Sequence, residues 1–221
     1  MDMFLNRWIG FSELRDLNPE WRSVLSLGVR YTYPKGTMLE WKDALSFLDA
    51  GKIRLMHVSP EGTEKVMWYI APGCLFGETP FLDPLESQGF AVCVEPCVVY
   101  TFSRECVLGT LYRTRPDLIA NLLHSMARKI RIMSGQAMSL FLDDVPIRVC
   151  KFLAQRLVPE SKPLLAHPGI SQQEMSSLLG VHRIHLYRVL KQQEEEGLLG
   201  PFSKDGVVIL DEERFMKLAR S

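Results

Sequence analysis

The sequence predicts an α+β chain: an antiparallel β domain, then a long amphipathic helix, then a small helical unit carrying a β wing. Three observations carry this reading. Between Val29 and about Ser103, short apolar or alternating runs are punctuated by Pro/Gly turns with no helical pattern between them. From Ile119 to Leu140, apolar residues recur at spacings alternating between four and three. Further on, two short amphipathic segments meet at Gly180.

In chain order, Asn18-Pro19, followed by Glu20 and the apolar-spaced Trp21, Val24 and Leu25 and closed by Gly28, reads as a short capped helix. Strands follow at Lys52-Ile53-Arg54-Leu55-Met56, Val66-Met67-Trp68-Tyr69-Ile70 and Val98-Val99-Tyr100-Thr101-Phe102. Turns are expected at Pro34-Lys35-Gly36, Pro60-Glu61-Gly62, Pro72-Gly73 and Asp83-Pro84, which makes residues 1–103 a β-roll or barrel with an N-terminal helix. Residues 104–143 are assigned to the long helix, with Pro116 at its first turn. Its seam is Ile119, Leu123, Met126, Ile130, Met133, Ala137 and Leu140. Such a stripe can cover the helix's own β domain. The helix's length and its basic flank of Arg128, Lys129 and Arg131 favour pairing with the same helix of a second chain.

Asp143-Asp144-Val145-Pro146 ends that helix and caps the next, so residues 144–221 form the C-terminal domain. Pro159 to Pro168 reads as a hinge-like stretch. Ser171 and Glu174 make a capping box, Met175, Leu178 and Leu179 form a buried face, and Gly180 permits a left-handed turn. Val181, Leu186, Val189 and Leu190 bury the next helix and leave His182, Arg183, His185, Tyr187, Arg188 and Lys191 outside. Leu198-Leu199, then Pro201 to Leu210 turning at Lys204-Asp205-Gly206, supplies a wing in a terminal hairpin. A winged helix-turn-helix with a basic second helix suits the DNA major groove.

Composition narrows the alternatives. Of 221 residues, 47% are apolar and 24% charged, which suits a globular chain with a real core. No apolar run reaches the roughly 18 residues of a membrane span, and the opening MDMFLNRWIGF is no signal peptide, so a cytoplasmic protein without a membrane partner is expected. Formal net charge is zero, so any nucleic-acid reading rests on local motifs. The five cysteines contain no CxxC, which argues against a disulfide framework or a zinc finger. A cupin-like metal enzyme would need His-x-His, yet only His57 and His124 precede residue 150. No catalytic triad or phosphate-binding glycine loop can be assembled, so no enzyme activity and no metal site are expected.

The roll segment Gly73-Cys74-Leu75-Phe76-Gly77-Glu78, the helix end Leu140-Phe141-Leu142-Asp143-Asp144 and the run Gln173-Glu174…Gly180-Val181-His182-Arg183…Arg188-Val189-Leu190 together resemble the CRP/FNR superfamily of bacterial transcription regulators. Gly180-Val181-His182 and Val94-Glu95-Pro96 resemble the halorespiration-type and anaerobic regulators within it. The resemblance implies a cyclic-nucleotide-binding-like roll, a homodimer, an effector held beside the long helix, RNA polymerase as a partner, and double-stranded DNA with an inverted-repeat site. Base readout would fall on Arg183, Ile184 and Arg188, with His182, Gln172 and Lys191 placed for backbone contacts and His185 among the DNA-binding residues. Ile184 departs from the family's common Glu at that place.

The resemblance also locates an effector site around Met67, Trp68, Gly77, Glu78, Gln88, Met126, Met133 and Ser134. Cyclic-nucleotide members hold phosphate with an Arg-Ser pair whose places here are near Ser87 and Gln88. No Lys or Arg occurs between Lys65 and Arg104, while Glu78, Asp83, Glu86 and Glu95 do. A buried phosphate needs charge-assisted donors, so cyclic AMP is disfavoured unless a cation comes from elsewhere. Met67, Trp68 and Met133 suit an apolar or aromatic molecule, or else simply fill a core. Haem on Cys74, His57 or His124 is the alternative within the family. An iron-sulfur cluster of the family type would need cysteines before Cys74, and there are none. Cys93 and Cys97 read as buried thiols rather than a redox pair.

Overall fold

The computed structural model describes residues 13–40, 43–59, 64–83 and 89–221. Gln88, Ser87 and the Pro60-Glu61-Gly62 turn lie outside the described residues. The described chain falls into two compact units, 13–130 and 131–221.

The first unit is a roll of two sheets. One has the order β1-β6-β5-β8-β3, from Glu13–Leu14, Glu64–Ile70, Ile53–Val58, Gly89–Cys93 and Met38–Leu39. The other runs β2-β9-β4-β7, from Val29–Tyr33, Cys97–Ser103, Ala44–Ala50 and Cys74–Phe76. Pairing is antiparallel as the turn chemistry requires, except that the two-residue β1 runs parallel to β6. Gly51 closes the β4–β5 turn at φ +90°, and a Cβ there would sit 2.3 Å from the Pro96 carbonyl, so only glycine fits.

Alternation divides the four-stranded sheet cleanly. Leu45 and Phe47 of β4, Phe102 of β9 and Leu75 of β7 turn outward onto Trp21, Phe81, Val107, Leu111, Leu118 and Leu122, the main core of this unit. Trp21 meets Phe102 edge to face at 5.3 Å. Trp21 stands on a 3-10 helix, Pro19–Leu27. Asn18 precedes it without a side-chain cap; instead its amide accepts from the Leu75 N–H at 3.0 Å and donates to Asn121 at 2.6 Å. That corrects the cap expected from the sequence: a fully buried amide is better satisfied by linking the roll to the long helix.

Glu78–Leu82 is α1, and a π-helical stretch Glu105–Leu111 runs into α2, Tyr112–Thr114. The long helix α3 spans Pro116–Leu142. Its buried stripe is Leu118, Leu122, Ser125, Lys129, Ile132, Gln136 and Ser139. That is a four-three repeat offset by one residue from the apolar seam read in the sequence. Along the seam, Leu123, Ile130, Met133, Ala137 and Leu140 are exposed, whereas Ile119 and Met126 are half-buried against the roll's core.

In the second unit, α4 (Val145–Ala154), α5 (Gln172–Leu179), α6 (Arg183–Glu195) and α7 (Glu212–Arg220) bury Val149, Phe152, Leu153, Met175, Leu178, Leu186 and Phe215. Asp143 accepts from Ser139 at 2.5 Å and from the buried Lys151 ammonium at 2.8 Å, fixing the α3–α4 corner, while Asp144 makes no side-chain cap. Leu165–Ala166 (β10) pairs with Val207–Val208 (β11), so part of the expected hinge is a strand of the wing. The chain ends in α7 rather than a hairpin, capped by the Asp211 side chain on the Arg214 N–H at 2.9 Å.

Candidate nucleic-acid interface and effector pocket

Helix α5 starts on the capping box anticipated from sequence: the Ser171 hydroxyl accepts from the Glu174 N–H, and the Glu174 carboxylate accepts from the Ser171 N–H at 2.8 Å. Gly180, at φ +64°, makes the turn. His182 caps α6, its Nδ1 accepting from the Ile184 N–H. Leu186, Val189, Leu190 and Gln193 anchor α6 from below. Arg183, Ile184, Tyr187, Arg188 and Lys191 lie along the opposite face, all exposed, together with His182 and His185; Gln172 is half-buried at the start of α5. Ile184 is 55% exposed, an isoleucine standing among exposed polar and charged side chains. Beside them the wing turns at Ser203–Gly206 and is held by His167, whose Nδ1 meets the Asp205 carbonyl.

In the roll, Gly77 takes φ +79° and launches α1, so Glu78 turns inward and is buried. Its carboxylate is ion-paired with Lys129 of α3, whose ammonium also donates to the Leu75 carbonyl at 2.8 Å. Lys129 is therefore an inward cation from a distant part of the chain, not a member of an outward basic flank. Trp68 is buried, and its indole N–H has no partner among the described residues; Met67 beside it is half-buried. Met126 is half-buried against the core, and Met133 and Ser134 are exposed on the part of α3 in the second unit.

A cavity of about 150 Å³ opens on the inner face of the four-stranded sheet. Its carbon walls are Met38, Leu39, Phe76 and Val99; its polar lining is Tyr33, Glu40, Ser46 and Thr101. Strand register explains the grouping, because Ser46 pairs with Thr101 across β4–β9 and with Phe76 across β4–β7, placing all three on one face. Burial first, then the neighbours Tyr31, Cys93 and Glu40, push the Tyr33 phenol above its ordinary range. It stays a neutral hydroxyl. Gln88 lies outside the described residues, and of the other residues first assigned to the effector none lines this cavity. Nor does Cys74, which is fully buried, or His57 or His124, which are exposed. Burial, reinforced by the neighbouring Cys97 thiol, pushes the Cys93 thiol up to about 12, so this pair is an inert dithiol at neutral pH.

Residues 33–113 match the cyclic nucleotide-binding domain family and residues 147–218 the Crp-like helix-turn-helix domain family. The cyclic AMP receptor protein of Thermus thermophilus is 32% identical over 184 residues, covering 80% of this chain and 83% of its own. The chain belongs to the CRP/FNR family. It is accordingly a helix-turn-helix DNA-binding transcription regulator rather than an enzyme. Its fold matches CprK complexed with OCPA at a TM-score of 0.80 and 21% identity, covering 93% of this chain and 96% of that one. A mutant of CooA from Carboxydothermus hydrogenoformans matches at 0.78 and 15% identity, covering 93% and 97%.

Within this CRP/FNR chain, sequence reasoning found the exposed face of α6 but missed Tyr33, Glu40, Ser46 and Thr101. A signal was present: Ala44, Ser46 and Thr101 alternate with Leu45, Phe47 and Phe102, so small residues stand at these inner positions beside large outer ones and leave room next to Phe76 and Val99.

Proposed function

We propose that the chain is a homodimeric, effector-responsive regulator of transcription whose effector is a small apolar or aromatic molecule and not cyclic AMP. The observation that carries this is the charge arrangement of the roll. Glu78 already holds Lys129, and among the described residues no basic side chain lines the cavity, so none of them offers a cyclic phosphate a charged donor there. Volume points the same way, since about 150 Å³ falls well below the roughly 300 Å³ at which pockets for drug-sized ligands begin. CprK, a protein of this fold, was solved in complex with o-chlorophenolacetic acid, which supports a one-ring effector here. Haem on Cys74, His57 or His124 is the second reading; none of these three residues lines the cavity.

DNA recognition is by α6, with Arg183, Ile184 and Arg188 at base edges, His182, Gln172 and Lys191 on the backbone, and His185 facing the DNA beside them. The site is an inverted repeat with half-sites about one helical turn apart, and RNA polymerase is the partner at the promoter. Cyclic AMP at millimolar concentration is expected to leave the thermal midpoint and the DNA affinity of the full chain unchanged. Calorimetric binding of cyclic AMP at micromolar affinity overturns the effector reading.

A further inference from the structure

The cavity's lining sets the sign of charge its ligand can carry. Among the described residues, its only carboxylate is Glu40, its hydroxyls belong to Tyr33, Ser46 and Thr101, and no lysine, arginine or histidine lines it. Among the described residues, none of these four side chains has a hydrogen-bond or ion-pair partner; the Tyr33 ring stacks on Tyr31, while Glu40, Ser46 and Thr101 are available to a guest. A carboxylate at the mouth of an apolar trough repels an acid and accepts from N–H donors. The volume suits one six-membered ring, because a dry cavity of roughly 150 Å³ holds benzene. Phe76, Leu39 and Val99 are buried and give the ring its walls, while Glu40 is exposed and stands where a polar substituent would reach water.

We propose that this cavity binds a single-ring organic amine, its ring between Leu39, Phe76 and Val99 and its ammonium or N–H group on the Glu40 carboxylate. The proposal rests on the reading of the roll as an effector domain and adds the chemical class. Ser46 and Thr101, facing each other across β4–β9, accept or donate to a second small substituent on the ring.

Titration calorimetry of the full chain with benzylamine, benzyl alcohol and phenylacetate tests it, the three probes sharing a ring and differing in charge. Benzylamine is expected to bind at least tenfold more tightly than benzyl alcohol, with phenylacetate weakest. Glu40→Gln should erase the advantage of the amine, and Ser46→Leu, which fills the trough, should abolish binding of all three while circular dichroism reports an intact fold. Phenylacetate binding as tightly as benzylamine, an amine affinity indifferent to Glu40→Gln, or no binding of benzylamine at millimolar concentration overturns the proposal. DNA affinity measured in parallel separates the two readings. Glu40-dependent amine binding without any change in DNA affinity leaves the ligand class standing and removes the effector role. A different effector that alters DNA affinity equally in wild type and Glu40→Gln removes the ligand class and leaves the regulator.

Discussion

Single residues decide how the roll grips the long helix. Lys129 and Glu78 are both buried, and neither charge is tolerable there without the other. Lys129→Met should destabilise the chain by about 3–5 kcal/mol in urea unfolding, because it leaves a buried carboxylate unpaired, whereas Lys129→Met with Glu78→Gln should recover most of that loss. Equal costs for the single and double variants would mean that the pair is not coupled. The thiols make a second residue-level device. Cys93 and Cys150 are each pushed up to about 12 by burial, from an ordinary 9.0. In the pH range between those values the unfolded chain releases protons that the folded chain keeps, so the stability these thiols contribute is complete below about pH 9 and falls as pH rises. Unfolding midpoints from about pH 8 to pH 11 should therefore fall less steeply in Cys150→Ala than in wild type; parallel slopes would show that Cys150 plays no part.

At the scale of elements, the strands, α3 and the helix-turn-helix were legible because each repeats a local rule: period two in the roll, a four-three spacing in α3, a capping box and a glycine around α5. What the pattern withheld was the partner of each face. The apolar seam of α3 dominates the sequence, yet the stripe that faces inward includes Ser125, Lys129, Gln136 and Ser139, whose burial depends on partners such as Glu78 that no helical period reveals. Helix α7 escaped notice because only Phe215 and Ala219 of its nine residues are buried, although Asp211, Glu212 and Glu213 marked its start. Recognition helix α6 is the clearest case of agreement, with its inner residues buried and Ile184 held outward. An isoleucine in the major groove has the thymine methyl as its natural contact, so Ile184→Glu should shift preference at one base pair by roughly 1–3 kcal/mol toward C·G and leave non-specific binding nearly unchanged. Selection from randomised DNA checks this; identical sites recovered by both proteins would place Ile184 away from the bases.

For the whole molecule, the question is what covers α3. Leu123, Ile130, Met133 and Leu140 stand exposed at four-three spacing along one line, Ile130 at 64%, and Phe141 continues the apolar surface at 86%. Burying each such side chain stabilises an assembly by roughly 1.5–3 kcal/mol, so leaving the whole line in water is unfavourable beside pairing it. The same spacing that makes it costly makes it self-complementary: a two-fold axis along the helix brings each seam residue against its counterpart, as in a coiled coil. Ile130 is the sharpest probe because it is the most exposed large side chain of the seam and lies outside the roll's own core cluster. Ile130→Glu would place two like charges at the centre of that contact, costing several kcal/mol if they are desolvated and unpaired, with little effect on the fold of either unit. Sedimentation should then report a monomer, and affinity for an inverted-repeat site should collapse to that of a single half-site, since two linked helices gain from a shared effective concentration and one does not. A variant that remains dimeric with undiminished affinity would mean that the seam is not the interface, and that two-fold recognition, if present, is built elsewhere in the chain.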